Sequence, residues 1–117
     1  MELPADAAQA ATAAEVDTCR QYKLTICNAI SGVDCFRQAG VLGGFGVKVT
    51  VRLRHGRTRH VRVQGSMSRR VKRCLVKRAR KARLEGAKGK ARVVCSWGGT
   101  LMPGGIMVSS DADCTLE

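Results

Sequence analysis

The stretch that decides the fold is VKVTVRLRHGRTRHVRVQG, residues 47–65. Apolar and polar residues alternate from Val47 to Arg54, which is the period of a β-strand with one buried face. The alternation resumes over residues 58–63, after a turn at His55-Gly56. The two runs predict a β-hairpin whose outer face carries basic residues side by side: Lys48, Arg52, Arg54, His60 and Arg62. Those cations repel one another unless anions lie near them.

The next segment, SMSRRVKRCLVKRARKARLEG at residues 66–86, is predicted to form an amphipathic helix. Ser66 or Ser68 is expected to cap its N-terminus, and Gly86 is the expected C-terminal stop. Its thin apolar stripe consists of Val71, Cys74, Leu75, Ala79 and Ala82. Most remaining positions are Lys or Arg, so this helix should cover one face of a sheet and expose a cationic side.

Helical spacing is also present in residues 15–39, where apolar residues recur near the 3.6-residue period. Ser31-Gly32 is the expected position of a bend, because glycine inside a helix costs about 1 kcal/mol relative to alanine. The following GVLGGFG, residues 40–46, is interpreted as a flexible connection. It precedes a strand rather than a helix and lacks the lysine of a phosphate-binding loop.

The last part of the chain adds strands. Residues 91–97, ARVVCSW, are predicted to form a third strand, and residues 106–109 leave open a short fourth one. The acidic end SSDADCTLE is expected to be anchored only through Cys114. This order predicts an α+β domain, a small antiparallel β-sheet with two helices packed on one face. The domain should span residues 15–117 with an acidic C-terminal tail, after a flexible lead-in at residues 1–14.

Charge is distributed very unevenly along the chain. The net charge is +12, and eighteen of the 21 Lys and Arg lie between Lys48 and Arg92, a range with one acidic residue, Glu85. The other eight carboxylates lie within residues 1–34 or 111–117. Such a field attracts nucleic acid, anionic lipid headgroups or acidic proteins without choosing among them.

The cysteines indicate disulfides. The chain has six of them: Cys19, Cys27, Cys35, Cys74, Cys95 and Cys114. None forms a Cys-x-x-Cys pair, which argues against zinc ribbons and thioredoxin-like motifs. A bridge adds about 2–4 kcal/mol of stability to a small domain and persists in oxidising compartments, so we expect a disulfide-stapled, periplasmic or secreted protein. The alternative is six reduced thiols, buried as small apolar residues.

Membrane and targeting signals are missing from the sequence. No run of about 18 apolar residues occurs, so no transmembrane segment is expected. The first residues lack the basic and apolar regions of a signal peptide, so the targeting segment of an exported protein would be absent from this sequence.

Residues 33–97 resemble the C-terminal domain of TonB, and more closely the version at the ends of myxobacterial envelope and gliding-motility proteins. The matching segments are Cys35-Phe36, GVKVTVRLRHG, HVRVQGSMS, VKRCLVKRARKARL and KARVVCSW. The resemblance implies a TonB C-terminal-like domain, a Cys35–Cys74 disulfide between its two helices, and a non-enzymatic protein-binding function. LEGAKGK replaces the aromatic-Pro signature of the family, and the membrane anchor and Pro-rich spacer are missing. The energy-coupling function of TonB is therefore not carried over.

The remaining cysteines need other partners. Cys19 and Cys27 would lie about 12 Å apart along a helix, which is beyond disulfide reach. Each is expected to pair elsewhere, most simply with Cys95 and Cys114. The sequence does not decide which of the two takes which partner.

Signs of catalysis are sparse, and we predict that the chain is not an enzyme. His55 and His60 are its only histidines, and both lie in the hairpin. Acidic residues avoid the middle of the chain, so paired carboxylates for acid-base chemistry are not indicated. No metal-ligand cluster or cofactor motif is present, and six paired cysteines leave no nucleophilic thiol.

Two functions are favoured over a third, an enzyme that uses one unpaired cysteine. The first is a cell-envelope interaction module that docks a partner segment along a sheet edge, with strand 91–97 as the expected edge. The alternative is a cationic protein that binds nucleic acid, lipopolysaccharide or anionic lipid, chiefly through phosphates because the basic region lacks stacking aromatics. The residues predicted to contact a partner or polyanion are Lys48, Arg52, Arg54, Arg62, Arg69, Arg70, Arg73, Lys77, Arg80 and Lys81. No oligomeric state is predicted.

Overall fold

The computed structural model describes residues 13–117, which form a four-stranded antiparallel sheet with helices on one face. The helices are α1 (Ala13–Ile30), α2 (Gly32–Gln38) and α3 (Arg69–Lys81). The strands are β1 (Gly43–Arg54), β2 (Arg57–Gly65), β3 (Lys90–Met102) and β4 (Gly105–Leu116). Their order in the sheet is β2-β1-β3-β4. The predicted α+β architecture is confirmed. Most of the predicted lead-in, residues 1–12, lies outside the described residues.

The core lies between the sheet and the helices. Alternate residues of β1 are buried on the helix side: Val47, Val49, Val51 and Leu53. Val51 is paired with Val61 on β2 and with Val93 on β3, so the register aligns apolar residues across the sheet. The intervening residues of β1 therefore point away from the helices, to the opposite face.

The predicted bend at Ser31-Gly32, between α1 and α2, is confirmed. Ser31 adopts a left-handed conformation with φ of 47°, and it separates α1 from α2. Nη1 of Arg78 on α3 lies 3.2 Å from the carbonyl oxygen of Ile30 and 3.5 Å from Oδ2 of Asp34. The guanidinium thus satisfies a carbonyl that the end of α1 leaves unpaired. Arg78 is a structural cation that holds three helical segments together.

Both ends of α3 are set by specific contacts. Ser68 is the N-cap, and its hydroxyl accepts a hydrogen bond from the backbone of Val71. The C-terminus is at Lys81, so the predicted stop at Gly86 is wrong. The reason is the hairpin: the Leu84 N–H donates to the carbonyl of Gly56 at 2.9 Å, which draws the chain out of helical geometry.

Three disulfides join the helices to their neighbours. They link Cys19 to Cys114, Cys27 to Cys95 and Cys35 to Cys74, with Cα–Cα separations of 5.5, 5.6 and 5.6 Å. The expected Cys35–Cys74 pair is present, and Cys19 and Cys27 are bridged to Cys114 and Cys95, the two expected partners. All six thiols are paired, which excludes the alternative of six reduced cysteines. Such bridges fit a chain that matures in an oxidising compartment.

Several strand predictions need correction. β1 begins at Gly43, so GVLGGFG is only partly a connection. β4 extends to Leu116, so the acidic end is a strand rather than a tail anchored only at Cys114. Twelve residues of β3 are paired with β4, from Ala91 opposite Leu116 to Met102 opposite Gly105. β3 is therefore an interior strand, and the prediction that it forms the exposed edge is wrong.

Candidate anion-binding surfaces

The basic residues predicted to bind a partner are divided between two opposite faces of the molecule. We call the first the open sheet face; its basic residues are Lys48, Arg52, Arg54, His60, Arg62, Lys90 and Arg92. We call the second the helix face; it consists of Arg69, Arg73, Val76, Lys77 and Arg80 on the outer side of α3. The helices cover the other side of the sheet, so the two faces point in opposite directions.

Like charges are neighbours across the open sheet face. Arg52 is paired with His60 on β2 and with Arg92 on β3. Directly opposite residues in an antiparallel sheet have Cβ atoms about 4.5–5.5 Å apart, and like charges at that spacing destabilise the pair. The next row repeats the pattern, with Arg54 opposite Lys90. Folding therefore concentrates positive charge here at an energetic cost.

Nearby carboxylates offset only part of this charge. The ion pairs formed between described side chains within residues 13–117 are Arg78–Asp34 and Arg83–Glu85, and neither lies on the open sheet face. Asp113 on β4 lies opposite Val94 and lines the same depression as Lys48, Arg52 and Arg62, so it carries a negative charge beside them. Neither Asp113 nor Asp111 forms an ion pair with a basic residue of this face among the described residues, and the basic residues outnumber these two carboxylates. The cations of this face remain available to an external anion.

The shape of the open sheet face suits a small anionic group. Thr50 and Val94 are paired in the sheet and are half-buried, and they form the floor of a shallow depression. The long side chains of Lys48, Arg52 and Arg62 border it. Short residues at the centre and cations around them leave space for a phosphate-sized group within reach of several positive charges.

The helix face follows from the amphipathic pattern of α3. Val71, Leu75 and Ala79 are buried against the sheet, as the sequence predicted. The four cations of the helix face are exposed, and Val76 between them is half-buried. Lys81, another predicted contact residue, is exposed and borders the helix face together with Lys72. Arg70, the last predicted contact residue on this helix, is also exposed. Like charges spaced three or four residues apart repel weakly along a helix.

The alternation of the predicted hairpin placed His60 on this face correctly, beside Lys48, Arg52, Arg54 and Arg62. It did not place Lys90 and Arg92 of β3 there. The position of Arg92 depends on β3 pairing directly with β1. That pairing is a property of sheet order, which local periodicity does not determine.

His55 and the six cysteines have structural roles. Nδ1 of His55 accepts a hydrogen bond from the N–H of Gly89 at 3.2 Å, which closes the hairpin end of the sheet. The six thiols are bridged, so none of them is a nucleophile. Within residues 13–117, His, Cys, Asp and Glu form no group of three that could hold a metal ion. The main chemical property of the two faces is their positive charge.

The two edges of the sheet differ. The outer edge of β2 is partly covered, because Arg57 forms a β-bridge with Arg83 beyond the end of α3. The outer edge of β4 has no strand paired with it among the described residues. Near its start, Ile106, Met107 and Val108 are exposed apolar residues. β4 is therefore the edge best placed to accept another strand.

Comparison with protein families, with curated proteins and with solved structures finds no match to this chain. The likeness to the TonB C-terminal domain therefore rests on the quoted sequence segments alone. None of the helices within residues 13–117 has the length and apolarity that crossing a bilayer requires. Function has to be inferred from the surfaces themselves.

Proposed function

We propose that this chain is a non-enzymatic protein of the periplasm or extracellular space whose open sheet face binds phosphate-bearing polyanions. The observation that supports this most is the pairing of Arg52 with Arg92 and of Arg54 with Lys90 across β1 and β3, with no described carboxylate in an ion pair with any of them. An anion above Thr50 and Val94 would relieve that repulsion, so its binding energy would include the relief. Three disulfides support the proposed location.

The aromatic residues restrict how such a ligand is held. Tyr22, Phe36 and Trp97 are buried in the core, and the ring of Phe45 packs on Phe36 with centroids 4.6 Å apart. None of the four aromatic side chains is therefore placed to stack on a nucleic-acid base. Binding would be dominated by phosphate contacts, weak in sequence preference and strongly dependent on salt.

The test is titration of the protein with inorganic polyphosphate, followed by calorimetry at rising salt. We expect the double variant Arg52→Gln/Arg62→Gln to bind about tenfold more weakly or worse, because each cation near a phosphate surface contributes about 1 kcal/mol. The matched control is Arg20→Gln/Lys23→Gln, which removes the same charge from α1. Equal losses in both variants would mean that only net charge matters. Loss of wild-type binding by about 0.1 M salt would contradict a specific role for the face.

A second function, an interaction module similar to the TonB C-terminal domain, is favoured by one observation. β4 presents an unpaired edge of twelve residues, Gly105–Leu116, and an extended partner segment could add to it as a further strand. This retains the first function predicted from the sequence but moves its site from β3 to β4.

This second function has its own test. Short random peptides displayed on phage would be selected on the immobilised protein and then examined by hydrogen exchange. Peptides that bind as an added strand should slow amide exchange in β4 and leave β2 unchanged. Met107→Lys should weaken them, since a charge at the apolar part of an edge opposes strand addition. Protection confined to any other element would rule out the edge as the docking site.

A further inference from the structure

We propose that the protein bridges two anionic phospholipid surfaces, with one bound to the open sheet face and the other to the helix face. This rests on the proposed binding of phosphate by the open sheet face and adds a second, independent face. The helix face has four exposed cations of its own, and none of them forms an ion pair with a described carboxylate in residues 13–117.

The two faces are held back to back. α3 is fixed on the sheet by its buried stripe and by the Thr58 hydroxyl, which lies 2.9 Å from two carbonyl oxygens at the helix C-terminus. Cys74 ties the same helix to α2, and the Cys27–Cys95 bridge ties α1 to β3. Helix and sheet therefore cannot rotate to bring both cationic faces to one side. A single flat surface contacts one face at a time and leaves the other free.

Lipid headgroups suit these faces better than nucleic acid does. The aromatic side chains are in or against the core, so neither face can stack on bases. On the helix face, half-buried Val76 lies among cations with long aliphatic stems, such as Arg73 and Lys77. Such stems can lie along the interfacial region while their charged ends reach phosphates. The disulfides indicate an oxidising compartment, where membrane lipids present phosphates.

A second copy of the chain is a poor occupant of either face. Each copy has a net charge of +12, so stacking one cationic face on another would bring like charges together. Bridging by the monomer requires no such contact. The two-faced charge distribution is explained if each face meets its own anionic surface.

The experiment uses the full chain with vesicles of phosphatidylcholine and phosphatidylglycerol in about a 2:1 ratio, with pure phosphatidylcholine vesicles as the uncharged control. Co-sedimentation measures binding, and light scattering measures vesicle clustering. Sedimentation velocity of the protein alone establishes whether it is monomeric. We expect a monomer that binds and clusters the anionic vesicles and does neither with the uncharged ones.

Variants of each face separate bridging from binding. Arg52→Gln/Arg62→Gln changes the open sheet face, and Arg73→Gln/Lys77→Gln changes the helix face. Each should lose clustering, whereas binding should fall only about two-fold because the other face is intact. Arg20→Gln/Lys23→Gln, the control with the same charge loss, should cluster vesicles like the wild type.

The outcomes are distinguishable. A wild-type protein that binds the anionic vesicles without clustering them, or single-face variants that still cluster them, would overturn bridging and leave the proposed function intact. If the protein bound neither the anionic vesicles nor inorganic polyphosphate, the proposed function itself would be overturned. Tight binding to duplex DNA without binding to the vesicles would show that the ligand is nucleic acid rather than a lipid surface. Clustering by a stable dimer would show that one face per copy suffices, which also contradicts the inference.

Discussion

Gly32 of α2 lies directly against the indole ring of Trp97 on β3. A Cβ atom added at residue 32 would be 2.5 Å from Cε3 of the ring, closer than real Cβ contacts come. The ring itself is only 9% exposed and has little room to retreat. The absence of a side chain at residue 32 therefore determines how closely α2 approaches the sheet.

Gly32→Ala should consequently destabilise the protein. Alanine is preferred over glycine within a helix by about 1 kcal/mol, but here the extra methyl must displace a packed ring. We expect a net loss of about 1–3 kcal/mol in the free energy of unfolding, measured by chemical denaturation with the disulfides intact. The control is Gly46→Ala, whose added methyl meets nothing within 4 Å. A Gly32→Ala variant as stable as the wild type would show that the two elements can separate freely.

The disulfide between Cys19 and Cys114 should be the first to open under mild reductant. Both of its residues are half-buried, whereas each other bridge contains a buried partner, Cys95 or Cys35. Access to sulfur controls the rate of thiol exchange. Alkylation of partly reduced protein followed by mass spectrometry should label Cys19 and Cys114 before any other pair.

Loss of that bridge has a structural consequence that can be measured separately. Replacing Cys19 and Cys114 by alanine should cost about 2–5 kcal/mol and speed amide exchange in the last residues of β4. Exchange in the β1–β2 hairpin should not change. Early labelling of Cys35 or Cys95 instead would mean that burial does not control the order of reduction.

The hairpin, the α3 stripe and the bend at Ser31 were predictable because each is encoded by local spacing. Alternation over residues 47–63 specifies which side chains share a face, and it placed Arg52 and Arg62 together correctly. The end of α3 was not predictable in this way. Its basic sequence favours a helix beyond Lys81, but hydrogen bonds to the distant hairpin turn stabilise an extended backbone there.

Strand β4 shows a second reason why local sequence patterns do not determine the whole fold. Polar and apolar residues alternate in its second half, Asp111–Leu116, but not in its first half, and only residues 106–109 were proposed as a strand. Twelve paired residues of β3 and the Cys19–Cys114 bridge stabilise it as a strand, and both are long-range contacts. The same dependence on sheet order explains why Arg92 was missed as a neighbour of Arg52.

Tyr22 should titrate above the ordinary range for tyrosine. Its side chain is fully buried, and its hydroxyl forms no hydrogen bond with any residue that the structure describes. Burial raises the pKa of this hydroxyl above 10.0, and the nearby backbone of Gly56 opposes the rise less strongly. It is the only tyrosine in the chain, so phenolate absorbance reports it without interference.

The raised pKa of Tyr22 has a defined effect on stability. The folded protein holds this proton more tightly than the unfolded chain, so the associated stability is present below pH 10 and is lost as the pH rises above it. Tyr22→Phe should abolish that contribution to the alkaline loss. At neutral pH it should also raise the free energy of unfolding by about 1 kcal/mol, because an unpaired buried hydroxyl is removed. A normal titration curve near pH 10 would contradict the burial of this group.

Arg52→Thr should change stability and binding in opposite directions. Removing the charge opposite Arg92 relieves cross-strand repulsion, so we expect the free energy of unfolding to rise by about 0.2–1 kcal/mol at low salt. The gain should fade at about 1 M salt, where such interactions are screened. Binding to polyphosphate should weaken about fivefold at the same time.

Arg37→Gln is the control for Arg52→Thr. Arg37 lies in the last turn of α2, where a cation is favoured by the helix dipole, so its loss should lower stability slightly and leave binding nearly unchanged. Denaturation and calorimetry on the same preparations measure both quantities. If Arg52→Thr lowered stability at low salt, the cations of the open sheet face would not be in repulsive contact. The physical reason for an anion to bind there would then be lost, even if the charges still attracted it from a distance.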